Sequence, residues 1–390
     1  MVQAGAWRAD APSTSSPPCV AVDGRPFSTH SFAIFYANSC EGHCAQRIAP
    51  FVTRPLPPAL RRPTPGAPRP GRRPPVAQRP PGLFSAKLAD MDLPTQNKTT
   101  LVDTHTHSRY SGHGQGAPAE FIAEAARQGM WLIAQTEHLT FPFNLDPEGH
   151  ISLTYDEVPG YLAEVAEARA AHPGLEVICG VEVDWADGAE LFIREQLKGP
   201  RCCPREAIKR DSQPSPYELA LGSVHVLTDD PDAPEGYWPL DYVGGIEGWC
   251  TRGADYVWRE YLRLWLDAVQ SGLFDIMAHP DLPKKLGFYP SFDCQPMWSQ
   301  MAEAAAAAGL MIELNTAGLF MPVGEVYPGP QLLATFCRAG VPCTLSSDAH
   351  SPEHVGRARA EGLRALYEAG YRYLTVPRRD GDRTEVALTG

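Results

Sequence analysis

Leu101-Val102-Asp103-Thr104-His105-Thr106-His107 decides how the rest of the chain reads. It continues a short apolar run of the length expected for a buried strand, and it ends on two histidines separated by one residue. Alternate residues of a strand share a face, so both imidazoles can reach one ion. The same ending recurs outward from this stretch. Apolar runs at 99–104, 130–136, 175–181, 219–224, 273–278, 310–314 and 341–346 predict strands, each bounded by Gly, Pro or polar turn residues. Helices are predicted at 118–129, 155–171, 254–272, 296–309, 329–340 and 353–370; Pro118 suits a first turn, and most of these segments close on a glycine. Such alternation makes a parallel sheet covered by helices. Seven repeats, with no dinucleotide-binding glycine motif after the first strand, predict an α/β fold: a distorted (β/α)7 TIM-like barrel. Functional residues are then expected at the C-terminal ends of the strands.

Six of the seven predicted strands finish on His, Glu or Asp, and seven of the chain's 12 histidines fall there or just beyond. The set is His105, His107, His113, His138, Glu182, His225, His279, Asp348 and His350. One histidine at a strand end is ordinarily a satisfied structural residue. Convergence of seven on one rim, together with two carboxylates, would be unstable without a cation. Ions with open positions take three or four protein ligands each, so nine ligands with one bridging carboxylate suit three divalent ions. Imidazole-rich sites favour Zn, Fe or Mn over magnesium or calcium.

Composition bounds the rest. The chain has 390 residues and a net charge of −12. That acidity argues against a nucleic-acid surface, and no apolar run is long enough for a membrane-spanning helix. The ten cysteines are scattered, without a zinc-ribbon pairing, which fits reduced thiols in a cytoplasmic protein. Residues 1–90 differ in kind. They hold 16 prolines, 11 Lys/Arg and four Asp/Glu, a local charge of +7 that leaves −19 on residues 91–390. This stretch is expected to be a disordered Pro/Arg-rich extension, with the native protein starting at Met91. A targeting peptide or a proline-rich ligand are alternative readings. Residues 91–390 are expected to form the domain that carries the nine ligands. Oligomeric state has no signature in the sequence.

The ligand set, in the pattern Asp103-x-His105-x-His107, His113, Glu137-His138, Gly180-x-Glu182, His225, His279 and Asp348-x-His350, resembles the PHP (polymerase and histidinol phosphatase) family from about Leu101 to Val376. The stretches Asp281–Gly287, Asn315–Leu319 and Glu325–Pro328 resemble its monofunctional histidinol-phosphate phosphatase branch. The resemblance implies a trinuclear centre. His105, His107, Glu182 and Asp348 would hold the first ion. His113, His138 and His350 would hold the second, and Glu182, His225 and His279 the third. It also implies a small phosphate monoester, histidinol phosphate, as substrate in histidine biosynthesis.

Three divalent ions would attract such an anion despite the acidic exterior, and a water ionised beside them could attack phosphorus in line without a phosphoenzyme. Neither Cys202 nor Cys203 has an Arg six residues later, and no phosphate-binding Gly-x-x-x-x-Gly-Lys-Ser/Thr loop occurs, so other phosphate chemistries are disfavoured. Lys285 is expected to bind phosphate. Asp184 is expected to meet a substrate ammonium or protonate the leaving oxygen, and Asn315 to contact substrate. Asp103 shares the face of His105 and is expected to orient an imidazole. Trp185, Trp238 and Trp249 are expected in packing rather than against substrate. The segments 184–216 and 226–253 are expected to form lids or substrate loops. The competing readings are a PHP phosphoesterase for a nucleotide or sugar phosphate, a non-catalytic metal-binding module, and a metal-dependent amidohydrolase. Loss of ligands would favour the module, and a lysine at a ligand-bearing strand end the amidohydrolase; neither occurs here.

Overall fold

The structure, a computed structural model, describes residues 98–139, 150–197, 215–229 and 237–388. The expectations for residues 1–90, and parts of both predicted loop segments, lie outside the described residues. The elements run β1 (Val102–Asp103), α1 (Pro118–Arg127), β2 (Leu132–His138), α2 (Val158–Ala171), β3 (Glu176–Asp184), α3 (Glu190–Leu197) and β4 (Leu219–Ser223). A hairpin of β5 (Val226–Thr228) and β6 (Tyr237–Pro239) follows, then α4 (Ile246–Arg252), α5 (Ala254–Ser271) and β7 (Ile276–Met277). The chain continues through α6 (Gln295–Ala308), β8 (Met311–Asn315), α7 (Pro330–Arg338), β9 (Cys343–Ser346) and α8 (Arg359–Ala369), and ends on β10 (Tyr373–Pro377) and β11 (Arg383–Ala387).

Seven strands form one parallel sheet in the order β1-β2-β3-β4-β7-β8-β9. The helices between them cover its outer face. In α5, Val257, Trp258, Tyr261, Leu264, Trp265, Ala268 and Val269 are buried, the spacing of one helical stripe. Truncating the fully buried Trp265 to alanine is expected to cost about 3–5 kcal/mol. The helix stops at Gly272, whose φ of 67° is left-handed and disfavours a side chain.

The sheet curls into a barrel that closes at one end. β9 and β1 meet where the Thr104 N–H donates to the Leu345 carbonyl (3.4 Å). Just past the strands, Thr106 bridges Ala349 in parallel, and the His107 N–H donates to the Ala349 carbonyl at 2.7 Å. The closure therefore lies at the C-terminal rim, where the candidate ligands stand. The barrel strands match the predicted runs, with differences at the edges. β1 and β7 have two paired residues each. The last predicted helix starts at Arg359 rather than 353: a turn at Pro352–His354 and left-handed Gly356 (φ 66°) and Ala358 (φ 51°) precede it. The two small hairpins escaped the reading because each strand is too short, or too polar, to show a period.

Candidate metal centre

Each barrel strand but β8 brings an expected ligand to this rim. β1 continues into His105 and His107, both fully buried, and β2 ends on His138. Buried Glu182 lies near the end of β3. His225 and His279 stand two residues beyond β4 and β7, and Asp348 and His350 just beyond β9. His279 (φ 24°) and Asp348 (φ 51°) hold left-handed backbone, uncommon for residues with side chains and a mark of functional turns.

Their ligand atoms converge in four groups, each within 4.8 Å: His105, His107 and Asp348; Glu182, His225 and His279; His107, His138 and His350; and His138, Asp184 and His225. Glu182 sits at the centre. Its Oε2 is 3.3 Å from His105 Nε2, 3.4 Å from His107 Nε2 and 3.0 Å from His138 Nδ1, and its Oε1 is 2.9 Å from His279 Nε2. His113 stands apart from these groups. It is exposed, with its ring 5.3 Å from that of His138 and 4.7 Å from that of His350.

The hydrogen bonds behind the cage assign the tautomers. His105 Nδ1–H donates to Glu313 Oε2 at 2.9 Å. The Ser111 hydroxyl gives its proton to Glu137 Oε2 (2.7 Å), so its oxygen accepts from His107 Nδ1–H at 3.1 Å. Both Nε2 atoms then point inward, and they lie 2.8 Å apart. Two lone pairs at that distance repel unless a cation or a proton lies between them. Among the described residues, His138 Nδ1, His279 Nδ1 and Glu182 Oε2 are also buried without a hydrogen-bond partner. Each such atom costs roughly 1–3 kcal/mol when nothing pairs with it. A donor set of imidazoles and carboxylates, with His138 Nδ1 and Glu182 Oε2 unpaired and 3.0 Å apart, fits divalent metal ions.

The charge state agrees. Burial would push the Glu182 carboxyl up, but the surrounding imidazoles, His105 foremost, hold it well below the usual carboxylate range. Burial would raise Asp348 too, but His105, His107 and His350 hold it well below the usual carboxylate range. Burial, with His138 and His350 beside it, keeps His107 neutral. Desolvation lowers His350 to about 4, against the pull of Asp348 and with help from His138. Burial would lower His105 and His225 as well, but Glu313 and Glu182 raise His105 well above the usual imidazole range, and Asp184 and Glu182 raise His225 to about 10. The metal-free centre therefore sets two anionic carboxylates among neutral His107 and His350 and charged His105 and His225 at pH 7.

Several expected roles meet a different geometry. Asp184 Oδ1 accepts from both the backbone N–H (2.9 Å) and the Nδ1–H (2.8 Å) of His225, so it orients a ligand. Asn315 is fully buried and spent within the chain: its Nδ2 donates to Glu313 (2.9 Å) and Asp348 (3.2 Å), and its Oδ1 accepts from the Ala317 N–H. Asp103 does not reach an imidazole. It accepts from the Ser347 N–H and hydroxyl and from the Gly356 N–H, and approaches His105 only at its backbone nitrogen, 3.5 Å away. Lys285 is half-buried and bonded to Asp241 Oδ2 at 2.8 Å. Its neighbour Lys284 is buried and staples two loops together through Asp281, Glu325 and the Val326 carbonyl. The three tryptophans pack: Trp249 stacks on Phe288 at 4.5 Å, Trp238 meets Trp249 edge-on, and Trp185 meets Phe274 edge-on.

Sequence reasoning missed Glu313, Ser111 and Asp241 as partners of the site. Glu313 sits in the middle of an apolar run, and a charge there was the available signal. Ser111 and Asp241 lie in loops, where no periodicity marks them.

Comparison with known proteins extends this picture. The model of the PHP domain family matches residues 103–317. A "Probable histidinol-phosphatase" of Deinococcus radiodurans is 31% identical over 283 residues, spanning 72% of this chain and 98% of that protein. The histidinol-phosphatase of Lactococcus lactis is 23% identical over 282 residues, 70% of this chain and 93% of its own. A crystal structure of histidinol phosphate phosphatase from Lactococcus lactis, in complex with zinc, L-histidinol and phosphate, superposes with a TM-score of 0.56 at 22% identity. It covers 73% of this chain and 98% of that one, a likeness of fold.

Proposed function

This chain belongs to the PHP domain family, and from that premise we propose that it is a metal-dependent phosphatase hydrolysing L-histidinol phosphate to L-histidinol and phosphate in histidine biosynthesis. The observation that carries this proposal is the cage, in which imidazole nitrogens and carboxylate oxygens converge in four groups within 4.8 Å and leave the facing atoms His138 Nδ1 and Glu182 Oε2 buried without a hydrogen bond. His105, His107, Glu182 and Asp348 would hold one ion, His113, His138 and His350 a second, and Glu182, His225 and His279 a third, with Zn, Fe or Mn suited to the donors. Bound there, divalent cations supply the positive charge that draws and polarises an anionic ester and lower the pH at which a water ionises.

The chain's own residues do the rest. Glu313, Ser111 and Asp184 hold His105, His107 and His225 with a protonated Nδ1 turned outward and Nε2 inward. Lys285 supplies a point charge for phosphate at the rim. Its partner Asp241 is brought down to about 2: burial pushes the group up, and Lys285 and His225 outweigh it. It stays ionised at all working pH values and can receive the ammonium of an amino-alcohol phosphate. A cation and an anion side by side suit a substrate that carries both charges, and a nucleotide or sugar phosphate lacks the ammonium. The cytoplasm is the setting we infer, in keeping with free thiols at Cys179, Cys250, Cys294, Cys337 and Cys343.

The test is phosphate release by the purified protein loaded with manganese or zinc, offered histidinol phosphate, AMP, a sugar phosphate and an aryl phosphate, with a chelated control. The expected outcome is a strong preference for histidinol phosphate that chelation abolishes. Brisk metal-dependent cleavage of another ester, with histidinol phosphate untouched, would remove the substrate and leave the cage.

A further inference from the structure

β8 is the one barrel strand that ends without an expected ligand, yet its buried Glu313 touches the supports of three. Glu313 Oε2 accepts from His105 Nδ1–H (2.9 Å) and the Ser346 hydroxyl (2.5 Å). Its Oε1 accepts from the His279 backbone N–H and from Asn315 Nδ2, each at 2.9 Å. Asn315 passes the link on, donating to Asp348 Oδ2 at 3.2 Å. His279 and Asp348, reached in this way, are two of the three residues with side chains that hold left-handed backbone among those described.

We infer that Glu313 is the positioning residue of the centre: one carboxylate, filled by four donors, fixes the tautomer of His105, the backbone turn of His279 and, through Asn315, the face of Asp348. This deepens the metal-holding proposal above and rests on it. The donor pattern explains why the residue must be an acid. All four partners donate, so both oxygens must accept. A glutamine offers one oxygen and one NH2 group. If its oxygen faces His105 and Ser346, the NH2 collides with the N–H groups of His279 and Asn315. If it is turned round, the NH2 faces His105 Nδ1, which must then give up its proton to Nε2, the atom that looks into the cage. Either way a ligand is spoiled, although the side chain keeps its shape.

The experiment is a zinc titration of the metal-stripped full chain by competition with a chromophoric chelator, paired with nitrogen NMR of the imidazoles. Glu313→Gln is expected to weaken at least one ion by about 10–100-fold and to move the His105 proton away from Nδ1. Asn315→Ala, which cuts only the relay to Asp348, is expected to weaken one ion by a smaller factor and leave the His105 tautomer alone. Ser346→Ala, which removes a donor from the same oxygen but touches no ligand, is expected to leave zinc affinity within about threefold of the wild type. Wild-type affinity and tautomer in Glu313→Gln overturn the inference. Should that variant fail to fold, unchanged zinc binding in Asn315→Ala overturns it instead. Failure of the metal-holding proposal looks different: the wild type takes up no zinc, while the tautomer change in Glu313→Gln persists.

Discussion

Glu182 and Asp103 are two buried carboxylates on the same barrel, and their surroundings differ in the atoms that face them. Glu182 is ringed by imidazole nitrogens of His105, His107, His138 and His279, and its Oε2 finds no hydrogen bond. Asp103 is ringed by donors, the N–H groups of Ser347 and Gly356 and the Ser347 hydroxyl, which tie β1 to the loop after β9. A carboxylate ringed by backbone and hydroxyl donors is satisfied by the protein alone, whereas one ringed by imidazoles needs positive charge from their protons or from a metal ion. Charge state follows the same division. Glu182 is held well below the ordinary range by the imidazoles, His105 foremost, against its burial. Asp103 is pushed up to about 6, because burial outweighs the bonds from Ser347 and Gly356. One region is built to bind, and the other to hold the rim closed.

The largest expected effect tests the binding side. Glu182→Gln keeps size and one acceptor but removes the charge that bridges two ligand sets. Metal content should fall, and kcat/KM for phosphate release should drop by about a thousandfold or more, roughly 4 kcal/mol of barrier. Asp103→Asn should leave the metal content of the purified protein unchanged. Elemental analysis of both variants decides the matter, and equal metal loss in the two would erase the contrast.

A smaller effect tests the structural side by pH. The folded-state pKa of Asp103, about 6, lies above its ordinary value of 3.8. Its contribution to stability is therefore fully present below pH 3.8 and is lost as pH rises through about 6. The difference amounts to about 3 kcal/mol. Urea unfolding of the metal-free wild type and Asp103→Asn, measured side by side, should show the wild type losing ground by up to that amount between about pH 4 and pH 7. A gap that stays constant across this range means that Asp103 does not titrate as its burial requires.

The contrast also explains what the sequence could and could not disclose. The cage was legible because its members sit at strand ends, where a period of two and an abrupt change from apolar to His or Glu mark them: Thr136-Glu137-His138 and Gly180-Val181-Glu182 are examples. The barrel was legible for the same reason, from seven apolar runs spaced by helices that close on glycine. The partners behind the cage were not. Asp103 and Glu313 both interrupt strands, but nothing local says that one reaches Ser347 and the other reaches His105, contacts that join residues 244 and 208 positions apart. Asn315 stood at a strand end like a ligand and proved to be spent on Glu313, Asp348 and the Ala317 N–H. Lys284 and Lys285 are neighbours in sequence with separate fates, one buried as a staple and one at the rim, because a single turn between Leu282 and Leu286 points them apart.

Lys285 gives the smallest effect and the finest test, since it belongs to neither carboxylate. Its ammonium pairs with Asp241, whose own charge is felt by His225 and His279, so the pair lies along the edge of the cage without entering it. Lys285→Met keeps the aliphatic stem and removes the charge. Metal content should match the wild type, because no expected ligand or tautomer depends on this residue. The KM for histidinol phosphate should rise by about tenfold, or 1.4 kcal/mol, with kcat changing less, the pattern of lost ground-state binding to phosphate. A large fall in kcat at unchanged KM would instead give Lys285 a role in the transition state. A loss of metal would mean that the edge and the cage are one structure, and the division drawn from Glu182 and Asp103 would then have to move outward to include Asp241.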